Sequence, residues 1–134
     1  MTFARHRVVA NRGLIKTILF SFARPDNSYT FVVRSQGIPI AGAFVIHDAR
    51  TAYYLLGGYH SESKHHGAGT LALFDAIRHA RGLGLKTFDF EGSMIPAIER
   101  YFRGFGGKLT PYYRVNKAWL PLEMALKLVR RNLF

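Results

Sequence analysis

Three sheet-forming runs separated by very short turns, between Tyr29 and Leu56, constrain this chain more than any other feature. Tyr29 to Arg34 is β-branched and aromatic, and Gln36-Gly37 supplies a turn. Ile40 to His47 is a second such run, Asp48-Ala49-Arg50 turns the chain again, and Thr51 to Leu56 is a third. Connections this short join only antiparallel neighbours, so the spacing predicts a meander. Gly57-Gly58 at the end of the third run leaves backbone uncovered, as a bulge or a close approach requires.

Helical spacing surrounds the meander. Ile15, Ile18, Leu19 and Phe22 predict a first helix near 8–22, stopped by Pro25-Asp26-Asn27. After the polar stretch from His60 to Gly67, a helix is expected from about Ala68 to Arg81, with Leu73, Ile77 and Ala80 inward. Asp75, Arg78 and His79 would face solvent, and Gly82 and Gly84 bracket the helix end. Leu85 to Phe90 reads as a short strand, and Gly92-Ser93 breaks it. Pro96 fits the first turn of a helix whose apolar stripe is Ile95, Ile98 and Phe102, and Gly104, Gly106 and Gly107 end it. Leu109 to Val115 is a last strand interrupted by Pro111, and Leu122, Leu126, Val129 and Leu133 mark an amphipathic C-terminal helix within 117–134. A meander followed by alternating helices and strands predicts an α/β (mixed α+β) fold, a largely antiparallel mixed sheet flanked by helices. No repeat or low-complexity linker divides residues 1–134, so one domain is expected, with its motifs at about 30–116.

Composition limits the chemistry. The chain lacks cysteine, which excludes disulfides, thiol catalysis and thiolate metal sites. Lys and Arg number 19 against 8 Asp and Glu, a formal charge of +11 that attracts phosphates, nucleic acid or anionic surfaces. The basic residues are dispersed, so the same charge equally describes a generally basic protein. Phe3 to Arg12 alternates apolar with basic residues and lacks a signal's continuous apolar stretch. Ile15 to Phe22 is too short to span a bilayer, and a cytoplasmic protein without stable membrane insertion is expected. Lys127, Arg130 and Arg131 give the C-terminal helix a basic end suited to an anionic membrane surface, although its Leu/Val stripe also suits packing on the sheet.

The junction between the third strand and the following helix carries the first chemical signal. Two glycines, Gly67 and Gly69, open the helix after a polar loop. The first turn of a helix has unpaired amide donors and the positive end of the dipole, a cradle for an anion. Lys64 adds a point charge, Thr70 a hydroxyl, and the glycines keep side chains away from an approaching pyrophosphate. Read alone, the segment also fits an ordinary glycine-containing connection.

The segment Lys64-His65-His66-Gly67-Ala68-Gly69 resembles the acyl-CoA pyrophosphate motif of the GNAT acyltransferases, Arg/Gln-x-x-Gly-x-Gly/Ala, at the same place between meander and central helix. Ala97-Ile98-Glu99-Arg100-Tyr101 is similar to the family's Ala-Ile-x-x-Tyr stretch on the next helix. The resemblance, which covers Phe31 to Asn116, implies a GNAT-like fold. It implies a donor loop formed by Lys64, His65, His66, Gly67, Ala68 and Gly69, to which the helix start adds Thr70, with Tyr101 as general acid near the acyl-donor sulfur. Phe88-Asp89-Phe90-Glu91-Gly92-Ser93 and Phe102-Arg103-Gly104-Phe105-Gly106-Gly107 look like the C-terminal halves of FemAB-type and BioF-like acetyltransferase-domain proteins. That branch implies acyl-CoA (acetyl-CoA included) or aminoacyl-tRNA as donor. It implies a small-molecule or peptidoglycan-precursor amine as acceptor, and a second GNAT-like half or a homodimer as partner.

Departures keep other readings open. The first motif position is Lys64 rather than Arg or Gln, and Met94 replaces an asparagine common before the Ala-Ile block. Glu91 is the best candidate base because it follows a strand beside a glycine break, yet it equally suits a solvent-facing position. Tyr101, next to Phe102, also suits the edge of a core. His60, His65 and His66 with Glu62 have the donors for a metal, but adjacent histidines diverge in an extended loop, so no metal site is assigned. A non-catalytic GNAT-like module binding tRNA or another polyanion remains the alternative to an acyltransferase.

Overall fold

The structure, a computed structural model, describes residues 12–60, 62, 65–93 and 95–111, together with 119, 121 and 124. Among the described residues, seven elements follow in order: α1 (Arg12–Phe22), β1 (Ser28–Ser35), β2 (Ile38–His47), β3 (Thr51–Tyr59), α2 (Ala68–Gly82), β4 (Thr87–Asp89) and α3 (Pro96–Arg103). They build one mixed sheet in the order β1-β2-β3-β4, antiparallel through β3 and parallel between β3 and β4.

The turn chemistry sets the meander. Gln36 (φ 50°) and Gly37 (φ 80°) both take left-handed backbone, the two-residue geometry that matches the twist of a hairpin. At the second turn, the Asp48 Oδ1 accepts hydrogen bonds from the N–H groups of Arg50 and Thr51, each at 2.7 Å. Those two amides hold the Asp48 carboxyl below its ordinary value. The parallel pairing of β4 then needs a crossover, and α2 provides it across one face.

Alanine decides how closely α2 approaches the sheet. Ala72, Ala76 and Ala80 are buried against Ala43, Val45 and Ala52, with Tyr29, Phe31, Tyr54 and Phe88 packed around them. Leu73 is buried as its spacing predicts, whereas Ile77 is only partly covered because the alanine stripe takes the central contact. His79 is exposed, yet its ring meets Tyr29 edge-on at 4.6 Å. The helix stops at Gly84 (φ 78°): its N–H reaches the Arg81 carbonyl at 3.0 Å, and the Leu85 N–H reaches that of Ala80 at 3.2 Å. These paired bonds satisfy carbonyls that the last turn would leave open.

Boundaries differ from expectation in instructive places. β3 runs through Gly57-Gly58 to Tyr59, and β4 is only Thr87–Asp89 rather than Leu85 to Phe90. Residues 109–111 are not strand; the rest of the expected last strand lies outside the described residues. So do residues 8–11 of the first predicted helix and nearly all of the C-terminal one. Among the described residues, no helix is long and apolar enough to cross a membrane.

Candidate functional site

A cleft opens where β3 and β4 part. Their pairing covers only Thr51–Tyr53 against Thr87–Asp89, while β3 continues for six more residues without a β4 partner. The divergence begins at a built turn. Asp89 Oδ1 accepts the Glu91 N–H at 2.8 Å, and Glu91 (φ 59°) and Gly92 (φ 65°) both adopt left-handed backbone that carries the chain away from the sheet. Helix α3 then packs back through Phe102, which stacks on Phe90 with ring centroids 4.9 Å apart and meets Tyr54 edge-on at 6.0 Å.

A bulge in β3 shapes the floor of this cleft. Phe44 pairs with Leu56 and Val45 with Tyr54, so Leu55 is the extra residue. One extra residue reverses the alternation of faces, which puts Tyr54 and Gly57 on the same side. A Cβ at Gly57 would coincide with the Tyr54 hydroxyl, so the phenol lies directly across that glycine. Burial pushes the Tyr54 hydroxyl up to about 12, and the neighbouring Tyr101 phenol adds to the shift. Tyr54 was not among the sequence candidates. Its signal, an aromatic three residues before a glycine pair, becomes legible only once the bulge is known.

The mouth of the cleft is the start of α2. Gly67 caps the helix with no side-chain bond, and the first turn holds no acidic residue. The Ala68 N–H returns to the His65 carbonyl at 3.1 Å; among the described residues, the Gly69 and Thr70 N–H groups have no backbone acceptor. A Cβ on Gly67 would meet nothing within 4 Å, so the fold itself does not require glycine there. Tyr101, on α3, donates its hydroxyl to Thr70 Oγ1 at 3.5 Å, a long bond that bridges the two helices across the opening. The residue is 38% exposed, and its ring packs edge-on against Phe105 at 5.2 Å.

The structure thus brings Gly67, Ala68, Gly69, Thr70 and Tyr101 together. His65 turns toward the meander, its Nε2 3.0 Å from the Ser35 hydroxyl, and His66 is exposed beside it. The carboxylate of Glu91 has no hydrogen bond or ion pair to another described residue, so nothing ties it to Tyr101. Lys64 lies outside the described residues. Among the described residues, no three His, Asp or Glu side chains converge as metal ligands. Chemically, the arrangement offers an anion cradle at one end of a cleft, strand backbone along its floor and a phenol proton donor at its mouth.

Known proteins share this fold. Residues 2–103 match the family described as acetyltransferase (GNAT) domain, and the chain belongs to that family. No curated protein sequence matches it. Among solved structures, it is similar to a Trypanosoma brucei acetyltransferase, with TM-score 0.62 and 10% identity over 87% of each chain. It is also similar to AAC(6')-Iy in complex with the bisubstrate analog CoA-S-monomethyl-acetylneamine, with TM-score 0.61 and 10% identity over 82% of this chain and 84% of that one. A ribosomal-protein-alanine N-acetyltransferase from Brucella melitensis aligns with TM-score 0.55 and 7% identity, over 77% and 79% of the two chains. At these identities the likeness is one of fold.

Proposed function

We propose that this GNAT domain is an N-acyltransferase, taking an acyl group from acetyl-CoA or another acyl-CoA and delivering it to an amine. The observation that carries the reading is the approach of Tyr101 to Thr70, because it sets a phenol beside the helix start that would hold the donor. Gly67, Ala68, Gly69 and Thr70 cradle the pyrophosphate, with Lys64, His65 and His66 as further donors around it. The open space beside Gly67 fits that role, since any Cβ there would project into the ligand's approach. β3, beyond its last β4 partner at Tyr53, lines the path of the thioester with backbone. The amine nitrogen attacks the thioester carbonyl carbon, the C–S bond breaks, and Tyr101 gives its proton to the departing thiolate. Glu91 is the candidate base for the proton the amine loses. Proximity and fixed backbone dipoles supply most of the acceleration.

Calorimetric titration with acetyl-CoA and longer acyl-CoAs tests the donor. Saturable binding that weakens about tenfold or more in Gly67→Val supports the reading, since a side chain there displaces the anion from its donors. Absence of binding by every acyl-CoA removes it.

A second reading draws on the charge of +11 and on the Asp89-Phe90-Glu91-Gly92 turn, whose residues resemble the FemAB-type and BioF-like branch. There the donor is aminoacyl-tRNA and the acceptor a peptidoglycan-precursor amine. A module that only binds tRNA, or one half of a homodimer or of a pair with another GNAT-like chain, belongs to the same reading. Steeply salt-dependent tRNA binding without transfer favours the binding module. Sedimentation at several concentrations tests self-pairing. We place the reaction in the cytoplasm.

A further inference from the structure

A hollow of about 450 Å³ opens on the face of the sheet turned away from α2. Phe44 lies between Ala43 and Val45, which pack on α2, so strand alternation sends its ring to the opposite face. Val32, between the core-facing Phe31 and Val33, points the same way and is 47% exposed. Leu56 is the register partner of Phe44, and Gly58 that of Gly42. Two glycines side by side leave bare backbone as the floor, and Val32, Pro39, Phe44 and Leu56 stand around it. The fold does not impose the gap at Gly42, where a Cβ would meet only the Phe31 carbonyl at an ordinary 3.5 Å. Among the described residues that line the hollow, Thr30 alone has a polar side chain and none is charged.

The hollow adjoins the cleft through β3. Leu56, Gly57 and Gly58 belong to its wall and also to the stretch of β3 that has no β4 partner. Tyr54 and Gly57 face the cleft from one side of that stretch, and Leu56 and Gly58 face the hollow from the other. The open strand edge joins the two sides. A wall without a carboxylate decides what can sit there. An ammonium group pressed against apolar side chains loses its hydration with no counter-charge to replace it. A chain of formal charge +11 also repels polycations at a distance. An aromatic ring or a branched aliphatic group gives up nothing polar when it exchanges water for Val32, Phe44 and Leu56. We infer that the acceptor is a monoamine with an apolar body seated in this hollow, rather than a polyamine or an aminoglycoside. The inference rests on the acyltransferase reading and names the substrate class for it. The nitrogen stays at the strand edge and attacks as the free amine. Its bond to the acyl carbon forms as the C–S bond breaks, it loses one proton, and CoA leaves as the thiol.

Steady-state transfer from acetyl-CoA to phenethylamine, ethanolamine and spermidine tests it, with acetyl-CoA affinity measured by calorimetry. The first two carry a phenyl or a hydroxyl group on the same two-carbon amine, and the third is a polycation. The wild-type chain is predicted to favour phenethylamine over each of the others by about tenfold or more in kcat/KM. Gly42→Val fills the hollow and brings the ratio of phenethylamine to ethanolamine toward one, through a raised KM for phenethylamine. Retained acetyl-CoA affinity reports that the variant is folded. Val32→Asp, made separately, places a carboxylate on the wall and lowers the preference for phenethylamine over spermidine by about tenfold. Equal wild-type kcat/KM for phenethylamine and ethanolamine, or a preference for spermidine, overturns the inference and leaves the acyltransferase reading standing. A preference for phenethylamine that survives in both variants overturns the assignment to this hollow. Acetyl-CoA binding without transfer to phenethylamine overturns the inference alone. If acetyl-CoA does not bind and none of the three amines is acetylated, the acyltransferase reading and the inference fall together.

Discussion

Tyr54 and Gly57 behave as one unit, because the phenol occupies the space a side chain at 57 would need. Gly57→Ala is therefore predicted to lower stability by about 1–3 kcal/mol, the usual cost of overpacking, as read by urea unfolding. In a Tyr54→Ala background the same substitution should add less than about 1 kcal/mol, since the obstruction is gone. Equal effects in the two backgrounds would contradict the packing. The hydroxyls make a second prediction. Burial raises both Tyr29 and Tyr54 to about 12, above the ordinary 10.0 of Tyr29 in the unfolded chain. Their stabilising contribution is complete below about pH 10 and is lost as pH rises toward about 12. Phenolate absorbance should show a late phase that Tyr29→Phe and Tyr54→Phe each diminish, with unfolding in the same range. Absence of that phase without unfolding would refute it.

At the scale of elements, Gly84 closes α2 with left-handed backbone and open space around it. Gly84→Ala should cost about 1 kcal/mol through strain alone, measured by urea unfolding, and Gly82→Ala in the last turn should cost less or stabilise. A larger penalty at Gly82 would place the cap elsewhere. Such punctuation is why much of the fold was legible in the sequence. Gln36-Gly37, Asp48 and Gly84 act through their own backbone or side chain, so local reading finds them. The bulge at Leu55 is different in kind, because it exists only relative to the pairing of β2. Of the alanine stripe of α2, Ala80 was read as inward, while Ala72 and Ala76 escaped for a related reason: helical spacing is traced on large apolar residues, whereas close helix-sheet contact selects small ones. β4 proved short because the turn at Asp89 ends its pairing early.

For the whole molecule, the candidate site is a property of the topology. Thr70 and Tyr101 are thirty-one residues apart and meet because the crossover α2 and the returning α3 frame one cleft. Thr70 was readable as a hydroxyl at a helix start and Tyr101 through family resemblance, and no spacing rule would have joined them. Glu91 shows the limit: its place after a strand was readable, but whether a carboxylate meets the reacting amine depends on a bound acceptor. The charge of +11 likewise suits a nucleotide or a tRNA without choosing between them, and it equally suits a generally basic protein. The most direct test of the acyltransferase claim is steady-state transfer from acetyl-CoA to a panel of amines, with wild type beside Tyr101→Phe. The account predicts saturable turnover by wild type and a kcat about a hundredfold or more lower in the variant, the scale of a lost general acid, with acetyl-CoA affinity retained. Turnover equal in the two proteins, or none in wild type with any amine, would contradict it.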